Sequence, residues 1–393
     1  MPTLYKQLVH GDVYTNWKTV MRLANTEDAN KKRVNVVNIL LSLWLVGNAI
    51  RFGSMFFDPA PVPEFVVGHT LSHLGSWAKL IGMVGFLFIN ECAGLRLAMY
   101  YLTSTNSMIL LDTVKQIGHE RDGELRIRKL KMARKVLLSF LIAFTTMVLD
   151  RSMFYTSMFV KNVMSASSGL EGVCWILWWF ADLTIPILIP LDLIIFPSMW
   201  VVVVLSHRME IRHLIERIES LAEAPVHTRS AGFQSVMQQH TRLLLRSVAV
   251  NSFSAPILFV VTLFASPAFS AVMFTVEYSD SELRWLYIVA GAPILSGVVA
   301  LLSTAASVTA TSEELHSRLC SMACDARVTD SLTPVQKFRL LLMVEETGSE
   351  STQLAMYTVH GQKYTKENLL HYVIEVGLDY TLFLTFIRSY VTF

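Results

Sequence analysis

Acidic and aromatic side chains recur at helical spacing near the C-terminal end of the chain. They are Glu375, Asp379, Phe383, Phe386 and Tyr390. A helix would place them on one face, acidic first and aromatic further along. Ionisable residues inside a membrane usually meet a partner or line water, so such a helix could line an aqueous path and attract cations. An amphipathic tail that never crosses the membrane would show the same spacing.

A second group of polar residues, Asp150, Arg151 and Asp182, lies within apolar stretches of the chain. These residues could form a network that only joins helices, or the polar end of a ligand pocket. Aromatic residues accompany them, as in pockets for small organic molecules. The candidate pocket residues are Trp77, Asp150, Arg151, Phe154, Tyr155, Trp178, Trp179, Asp182 and Tyr287. An aromatic belt at the membrane surface uses the same residue types, and Trp175 and Trp285 are predicted to belong to it.

The sequence has no pattern typical of an enzyme or a metalloprotein. His69 and His73 are four residues apart but have no third metal ligand in register. Cys320 and Cys324 are one helical turn apart, without the paired spacing of a zinc site. A P-loop, a glycine-rich dinucleotide motif and a His-Glu-x-x-His motif are all missing. We therefore expect no enzymatic activity, no metal and no cofactor.

The composition of the 393-residue chain is typical of a protein embedded in a lipid bilayer. Hydrophobic residues make up 53% of it and charged residues only 16%, which is more apolar than a soluble chain of this size. Seven apolar stretches are long enough to cross a bilayer core as helices. These predicted spans are 34–57, 71–98, 136–160, 173–205, 247–275, 285–311 and 371–393. Pro186, Pro190 and Pro197 are expected to break or bend the fourth span.

The basic residues predict the orientation of these spans. Most of the 33 Lys and Arg residues lie before the first span or in the connections after the second, fourth and sixth. Because positively charged segments stay in the cytoplasm, the N-terminus is predicted to be inside and the C-terminus outside. No signal peptide is expected, since residues 1–33 are polar and charged. The net charge of +2 gives no reason to expect a nucleic-acid partner. We expect a multi-pass protein of the plasma membrane.

Several spans are predicted to continue into the cytoplasm as amphipathic helices. The apolar residues that follow the fourth span at helical spacing are Ile211, Leu214, Ile215, Ile218 and Leu221. A later helix is predicted to begin at Thr333-Pro334, with Phe338, Leu341 and Leu342 on its apolar side. A helix half covered with apolar residues needs a partner. The stripes could pack within one subunit, join subunits beneath the membrane, or do both.

The predicted organisation follows from these elements. Residues 1–33 form a cytoplasmic segment, and 34–311 contain the first six helices. Segments 206–246 and 312–370 are cytoplasmic and helical, and 371–393 form the seventh helix. Glu91 and Arg96, near the inner end of the second span, are expected to extend to the membrane interface.

The C-terminal segment resembles the end of the arthropod gustatory receptors, within the gustatory and odorant receptor superfamily. Residues 361–387 read GQKYTKENLLHYVIEVGLDYTLFLTFI. The family signature is Thr-Tyr, five mostly apolar residues, and Gln-Phe. The matching positions here are Asp379-Tyr380, then 381–385, then Phe386-Ile387. Tyr380 is identical to the signature, and the topology predicted above is similar to that of the family.

This resemblance implies an all-helical, ligand-gated cation channel subunit. Members of the family are tetramers in which the last helix of each subunit lines one pore, cytoplasmic helix ends join the subunits, and ligand enters a pocket in the outer half of the other helices. For this chain the resemblance implies a receptor for a small tastant or odorant, in a homo- or hetero-tetramer within the lipid bilayer. The implied pore and gate residues are Glu375, Asp379, Tyr380, Phe383, Phe386, Ile387 and Tyr390. Because Phe386 stands at the family's Gln position, a hydrophobic constriction at Phe383, Phe386 or Ile387 would replace a polar gate.

Two other classes of membrane protein stay open on the sequence alone. A secondary transporter could use the intramembrane Asp residues as proton or ion sites, although no second broken span matches the fourth. A G-protein-coupled receptor carries an Asp-Arg pair at the cytoplasmic end of its third helix and has the opposite orientation. Here Asp150-Arg151 lies past the middle of the third span, and the seventh span lacks Asn-Pro-x-x-Tyr.

Overall fold

The computed structural model describes residues 31–54, 65, 68, 76–104, 113, 117, 120, 122–278, 281–348, 354–356, 363–367, 370–372, 374, 377–378, 380–382 and 385. Every regular element in this part of the chain is an α-helix. The helices are α1 (Lys31–Ser54), α2 (Ser76–Ser104), α3 (Gly123–Ser165), α4 (Gly169–Asp182), α5 (Ile185–Glu223), α6 (Val226–Tyr278), α7 (Ser281–Cys324), α8 (Ala326–Thr329) and α9 (Pro334–Gly348). Short helical stretches also occur among the described residues of 366–385.

Among the described residues, α1, α2, α3, α5 and α6 are long and apolar enough to cross a membrane. They contain the third and fifth predicted spans in full, residues 34–54 of the first, 76–98 of the second and 185–205 of the fourth. The sixth span falls on α7, and several side chains in its first half lie outside the described residues. Most of the seventh span lies outside them as well.

The fourth predicted span is two helices rather than one. The first of these helices begins at Gly169, earlier than the predicted start at 173, and a turn at Leu183 and Thr184 separates it from the second. The Thr184 hydroxyl donates to the Ala181 carbonyl oxygen at 2.7 Å, and Pro186 lies in the first turn of α5. Proline is tolerated there because the N–H it lacks would have no helical partner. The turn leaves Asp182 as the last residue of α4.

Four helices, α3, α5, α6 and α7, are much longer than a bilayer core of about 30 Å. At 1.5 Å per residue, the 43 residues of α3 extend about 65 Å and the 53 residues of α6 about 80 Å. The N-terminus of α3 is capped by Asp122, whose carboxylate accepts from the backbone N–H groups of Glu124 and Leu125. Hydrogen bonds from these N–H groups, that of Leu125 foremost, lower the pKa of the Asp122 carboxyl.

Two hydrophobic cores hold the helices together. The larger core runs through α2, α3, α5, α6, α7 and α9 and surrounds the fully buried Phe196, Trp200, Phe233 and Phe253. The smaller core joins α1 and α2 to α6 and includes Tyr155 of α3. The smaller core therefore supports the half of the bundle in which the aromatic residues of α3 and α4 lie.

The apolar stripe at the end of α5 packs within this chain. Its five residues are all buried: Ile211, Leu214, Ile215, Ile218 and Leu221. The helix α9 differs from the expectation, because Phe338 and Leu341 are 62% and 60% exposed while Leu340 and Met343 are buried. The helix is rotated so that part of its apolar surface faces away from the chain.

The expectation that Glu91 and Arg96 reach the membrane interface is wrong. Arg96 is fully buried, and its Nε donates to Asp192 Oδ2 at 2.9 Å while its Nη2 lies 2.8 Å from Oδ1. Asn38 of α1 provides a third contact at 3.4 Å. Glu91 is 2% exposed. An ion pair inside the bundle removes the reason for the arginine to extend to water.

Candidate functional site

A small cavity lies between α3 and α4. Its lining residues are Tyr155, Met158, Phe159, Asn162, Trp175, Trp179 and Asp182. The spacing of these residues along each helix is three or four, so one face of α3 and one face of α4 form the walls. The free space of the cavity is about that of one water molecule, so a ligand with a ring would enter only if the lining side chains moved apart.

The connection between the two helices fixes their separation. Ser168 caps α4 by accepting from the Glu171 N–H at 3.2 Å. The Glu171 carboxylate in turn accepts from the N–H and the hydroxyl of Ser167, each at 2.8 Å. These bonds, with that from the hydroxyl first, lower the pKa of Glu171. The Trp175 indole N–H also donates to Glu171, at 3.4 Å, which orients this ring on the cavity wall.

Stacked aromatic rings form one wall of the cavity. The rings of Phe159 and Trp179 are 4.7 Å apart between centroids and nearly parallel, with an interplanar angle of 24°. The buried indole N–H of Trp179 has no hydrogen-bond partner in the described part of the chain. A buried donor without a partner costs free energy. A ligand that carries a hydrogen-bond acceptor could satisfy this donor.

The polar end of the cavity is occupied by an ion pair. Arg51, from α1, donates through Nη2 to Asp182 Oδ1, and the two side chains are 7% and 2% exposed. The Arg51 guanidinium carbon lies 4.9 Å from the centroid of the Trp178 ring and 5.0 Å from that of Phe52. Cation–π contacts of this kind stabilise a buried guanidinium. The ion pair therefore connects α1 to the end of α4.

Trp178 is hydrogen-bonded to the segment that precedes α2. Its indole N–H donates to the Phe65 carbonyl oxygen at 3.0 Å. Gly68 is buried against the same ring and has a φ of 72°. A Cβ at Gly68 would lie only 2.5 Å from the nearest Trp178 ring atoms. Glycine at this position allows both the left-handed backbone conformation and the close approach of the ring.

The structure brings three of the predicted pocket residues to the cavity, namely Tyr155, Trp179 and Asp182. Trp178 packs behind Asp182 against Arg51. Phe154 packs against the smaller core. The side chains of Trp77 and Tyr287 lie outside the described residues. That the residues at the cavity bind a ligand stays a prediction.

The polar network expected among Asp150, Arg151 and Asp182 has a different composition. Arg151 lies 3.9 Å from the neighbouring Asp150, whereas Asp182 pairs with Arg51 of α1. Arg51 lies inside the first predicted span, so its intramembrane position was readable from the sequence. Its partner was not readable, because pairing requires two helices to meet at the same depth.

Four further cavity residues were missed at the sequence level: Met158, Phe159, Asn162 and Trp175. Trp175 was assigned to the interfacial belt, but it is 5% exposed and lines the cavity. Trp285, the other belt residue, is exposed. Helical spacing from Tyr155 would have found Met158, Phe159 and Asn162, which lie on the same face three, four and seven positions later.

Most of the predicted pore residues lie outside the part of the chain that the structure describes. Glu375, Asp379, Phe383, Phe386, Ile387 and Tyr390 lie outside the described residues. Tyr380 is described, and its hydroxyl donates to the Glu277 carboxylate at the end of α6. This hydrogen bond places Tyr380 beside the end of α6.

The described residues contain no group of three or more His, Cys, Asp or Glu side chains that could hold a metal ion. His69 and His73 lie outside these residues. Cys320 lies 3.5 Å from His316 Nε2 in α7, and the other ring nitrogen of that histidine is 3.1 Å from the Thr347 hydroxyl.

Comparison with known proteins gives a similarity of fold. No protein-family model matches the sequence, and no curated protein is significantly similar to it. Among solved structures, an insect olfactory receptor from Machilis hrabei, determined in complex with eugenol, is similar with a TM-score of 0.64. The alignment has 12% sequence identity and covers 95% of this chain and 97% of that chain. The chain therefore has an all-helical fold similar to that of this olfactory receptor.

Proposed function

We propose that this chain is a subunit of a chemosensory, ligand-gated cation channel opened by a small extracellular molecule. The observation that carries the proposal is the similarity of fold to an insect olfactory receptor over 95% of the chain. A match over nearly the full length of both chains supports the fold on which the proposal depends. The resemblance of the C-terminal segment to gustatory receptors makes a tastant as suitable a ligand as an odorant.

The proposed topology has seven spans, a cytoplasmic N-terminus and an external C-terminus in the plasma membrane. It is supported by the positions of the basic residues, which lie at one end of the long helices. Lys129 illustrates this end of the bundle: it is buried but pairs with Glu120 at 3.0 Å and Glu210 at 2.6 Å. A dense network of paired charges belongs outside the hydrocarbon core, where water and counter-charges are available.

In this topology the cavity between α3 and α4 is the ligand site and opens in the outer half of the bundle. The turn at 166–168 joins the two helices on the extracellular side, where the connection carries few basic residues. The unpartnered Trp179 N–H and the stacked Phe159 ring favour an aromatic molecule with a hydrogen-bond acceptor. Opening requires such a ligand to bind the open state more tightly than the closed state.

The proposed assembly is a tetramer, either of identical chains or with related subunits. The support is the exposed apolar surface of α9, where Val335, Phe338 and Leu341 face away from the chain. Contiguous exposed apolar residues are typical of protein–protein contacts. The seventh helix of each subunit would line the pore, with Glu375 and Asp379 at its cytoplasmic end.

The ion pairs weigh against the transporter alternative. Asp182 and Asp192 are each paired with an arginine, Arg51 and Arg96. A carboxylate that must bind and release protons or ions in a transport cycle cannot remain in a fixed ion pair with a guanidinium. Asp182 and Asp192 are therefore better suited to joining helices than to a transport cycle.

The experiment that tests the proposal combines topology and current in one cell line. The chain is expressed with a C-terminal tag, intact cells are stained for the tag, and membrane current is recorded during application of a panel of small aromatic compounds. We expect external staining and ligand-evoked cation current. Trp179→Ala should reduce the response, while Trp285→Ala, at an exposed tryptophan outside the cavity, should not. Internal staining, or evoked current that is insensitive to Trp179→Ala, would contradict the proposal.

A second measurement addresses the gate. If Phe386 forms a hydrophobic constriction, Phe386→Ala should widen it and raise the current in the absence of ligand. Surface expression, measured by the external tag, controls for the amount of channel. An unchanged ligand-free current at equal surface expression would remove Phe386 from the gate.

A further inference from the structure

The helix α3 presents one continuous apolar face to its surroundings. Of the five described helices that are long enough to cross a membrane, α3 is the least buried within the chain: 28% of its most apolar stretch is buried, against 39–61% in the other four. Its exposed apolar residues include Leu138, Ile142, Leu149, Met153 and Val160. Their spacings of four and seven place them on one side of the helix. In a membrane this face would contact lipid acyl chains.

Three basic side chains continue this face toward the N-terminal end of α3. Lys131, Arg134 and Lys135 are exposed, and the helical repeat brings them into line with Leu138. At 1.5 Å per residue they lie about 1.5–8 Å along the axis from Val136, the first residue of the third predicted span. Lipid headgroups occupy the same depth, because they add roughly 5–8 Å to each side of the hydrocarbon core. The three cations therefore lie at the level of the lipid phosphates.

No ion pair engages these three cations in the described part of the chain. The neighbouring Arg128 and Lys129 each pair with two glutamates. Within α3, no acidic residue lies between Glu124 and Asp150. Like charges three or four residues apart on a helix destabilise it. An anionic group from outside the chain would remove this repulsion.

We propose that Lys131, Arg134 and Lys135 bind the headgroup of an anionic phospholipid of the cytoplasmic leaflet, whose acyl chains lie along the apolar face of α3. The cations suit the phosphate and its neighbouring negative charge, and the face that begins at Leu138 suits the chains. A zwitterionic lipid carries its own cation and would gain less from the three basic residues. The inference rests on the proposed topology, which places this end of α3 in the cytoplasm, where anionic lipids are concentrated.

The alternative role of the three cations is to keep this end of α3 outside the hydrocarbon core while they stay hydrated. In that case anionic and zwitterionic lipids would bind alike. The two roles therefore differ in one measurable property, the ratio of the affinities for an anionic and a zwitterionic lipid with the same acyl chains.

The experiment measures lipid binding to the purified full chain in mild detergent micelles, from fluorescence anisotropy. The probes are phosphatidylserine and phosphatidylcholine that carry the same fluorophore on the same acyl chain. A basic residue near an anionic lipid contributes up to about fivefold to binding, so we expect the native chain to prefer phosphatidylserine by at least about tenfold at low salt. The preference should decline at high salt, because the charges are exposed and are screened.

Substitutions at the surface of α3 separate charge from packing. The triple variant Lys131→Gln, Arg134→Gln and Lys135→Gln should bind the two lipids equally. The double variant Lys131→Arg and Lys135→Arg keeps both charges and should keep the preference. These side chains are exposed, so none of the substitutions alters a hydrophobic core.

A second triple variant controls for net charge. Arg217, Arg318 and Arg327 are exposed arginines on α5, α7 and α8, beyond the predicted spans. Replacement of all three by Gln removes the same charge as the first triple variant. We expect this control to keep the lipid preference within about twofold of the native value, since the removed charges lie more than about one Debye length from the headgroup level.

Four results would overturn the inference. The first is equal affinity of the native chain for the two lipids, and the second is a preference that persists in the first triple variant. The third is an equal loss in the control variant, because the chain would then respond only to net charge. The fourth is full displacement of labelled phosphatidylserine by an equal concentration of glycerophosphoserine, the same headgroup without acyl chains, which would indicate a site for free anions rather than for a lipid.

The outcomes also separate this inference from the proposed function. Binding is measured without current, so a chain that shows the expected lipid preference but carries no ligand-evoked current would refute the channel and leave the lipid site intact. Ligand-evoked current in a chain without lipid preference would refute the lipid site and leave the channel intact.

Discussion

Replacement of Arg96 by methionine would leave the Asp192 carboxylate buried without its partner. In the native chain the two side chains are fully buried and make two close contacts, at 2.9 and 2.8 Å. The arginine also lies 5.9 Å from the Phe196 ring centroid and contacts Asn38. Methionine keeps much of the apolar stem, so the substitution removes mainly the charge and its hydrogen bonds.

The magnitude follows from the burial of the partner. Removal of one member of a buried ion pair costs about 3–5 kcal/mol of the free energy of unfolding, because the remaining charge has lost its hydration and has no compensation. Replacement of both members by apolar residues of similar volume avoids this cost. We therefore expect Arg96→Met to destabilise the chain by about 3–5 kcal/mol, and the double variant with Asp192→Leu to lie within about 1 kcal/mol of the native chain.

The assay is denaturant titration of the purified chain in detergent micelles, followed by tryptophan fluorescence. Arg128→Met is the matched control, since Arg128 pairs with Glu124 and Glu216 in α3 and α5 but its side chain is 46% exposed. An exposed pair contributes less than about 1 kcal/mol, so this control should unfold close to the native midpoint.

The reasoning would be refuted by either of two results. If Arg96→Met is no less stable than Arg128→Met, the pair is not buried as described. If the double variant is as unstable as Arg96→Met, the cost comes from lost packing of the arginine rather than from the unpaired Asp192 carboxylate.

Three further predictions concern other parts of the chain. Gly68→Ala should lower the free energy of unfolding by about 2 kcal/mol or more, because φ is positive there and the new Cβ would displace the Trp178 ring. Denaturant titration followed by fluorescence measures this loss, with Gly123→Ala, at a helical glycine with open space at Cβ, as the control. Equal losses in the two variants would contradict the prediction. Asp122→Ala should cost about 1 kcal/mol at neutral pH. The pKa of Asp122 is lowered in the folded chain, so the stability that this carboxylate contributes is present above the ordinary pKa of 3.8 and is lost as pH falls through the folded pKa. If Asp122→Ala still lowers the free energy of unfolding in full below that pH, the capping role is contradicted. Asp379→Lys should shift the reversal potential toward that of anions, and an unchanged reversal potential in ion-substitution recordings would remove Asp379 from the pore.

The single-residue predictions from the sequence failed where a side chain finds its partner on a distant helix. Arg96 was expected to reach the interface because the sequence shows only its distance from the end of the span. The structure places Asp192 beside it, ninety-six positions later, and removes the need for water. Trp175 was assigned to the interfacial belt for the same reason, since burial by α3 cannot be read from the residue itself.

The sequence by itself determined which segments are apolar helices, where most of them end, and which ends carry the basic residues. These properties depend on residues within a few turns of one another: apolar runs, the break before Pro186, and the cap at Thr333. The stripe at Ile211–Leu221 was equally local, because helical spacing alone puts its members on one face.

Only the tertiary structure decided which faces meet and which charges pair. The cavity exists because α3 and α4 present matching aromatic faces across a three-residue turn. Asp182 at its polar end is paired with an arginine because α1 brings Arg51 to it over a separation of 131 positions. Local helix propensity is set by neighbouring residues and does not depend on partners so far apart in the sequence. Burial of a charge in an apolar bundle does depend on a distant partner, because an unpaired charge there would cost more free energy than the fold can tolerate.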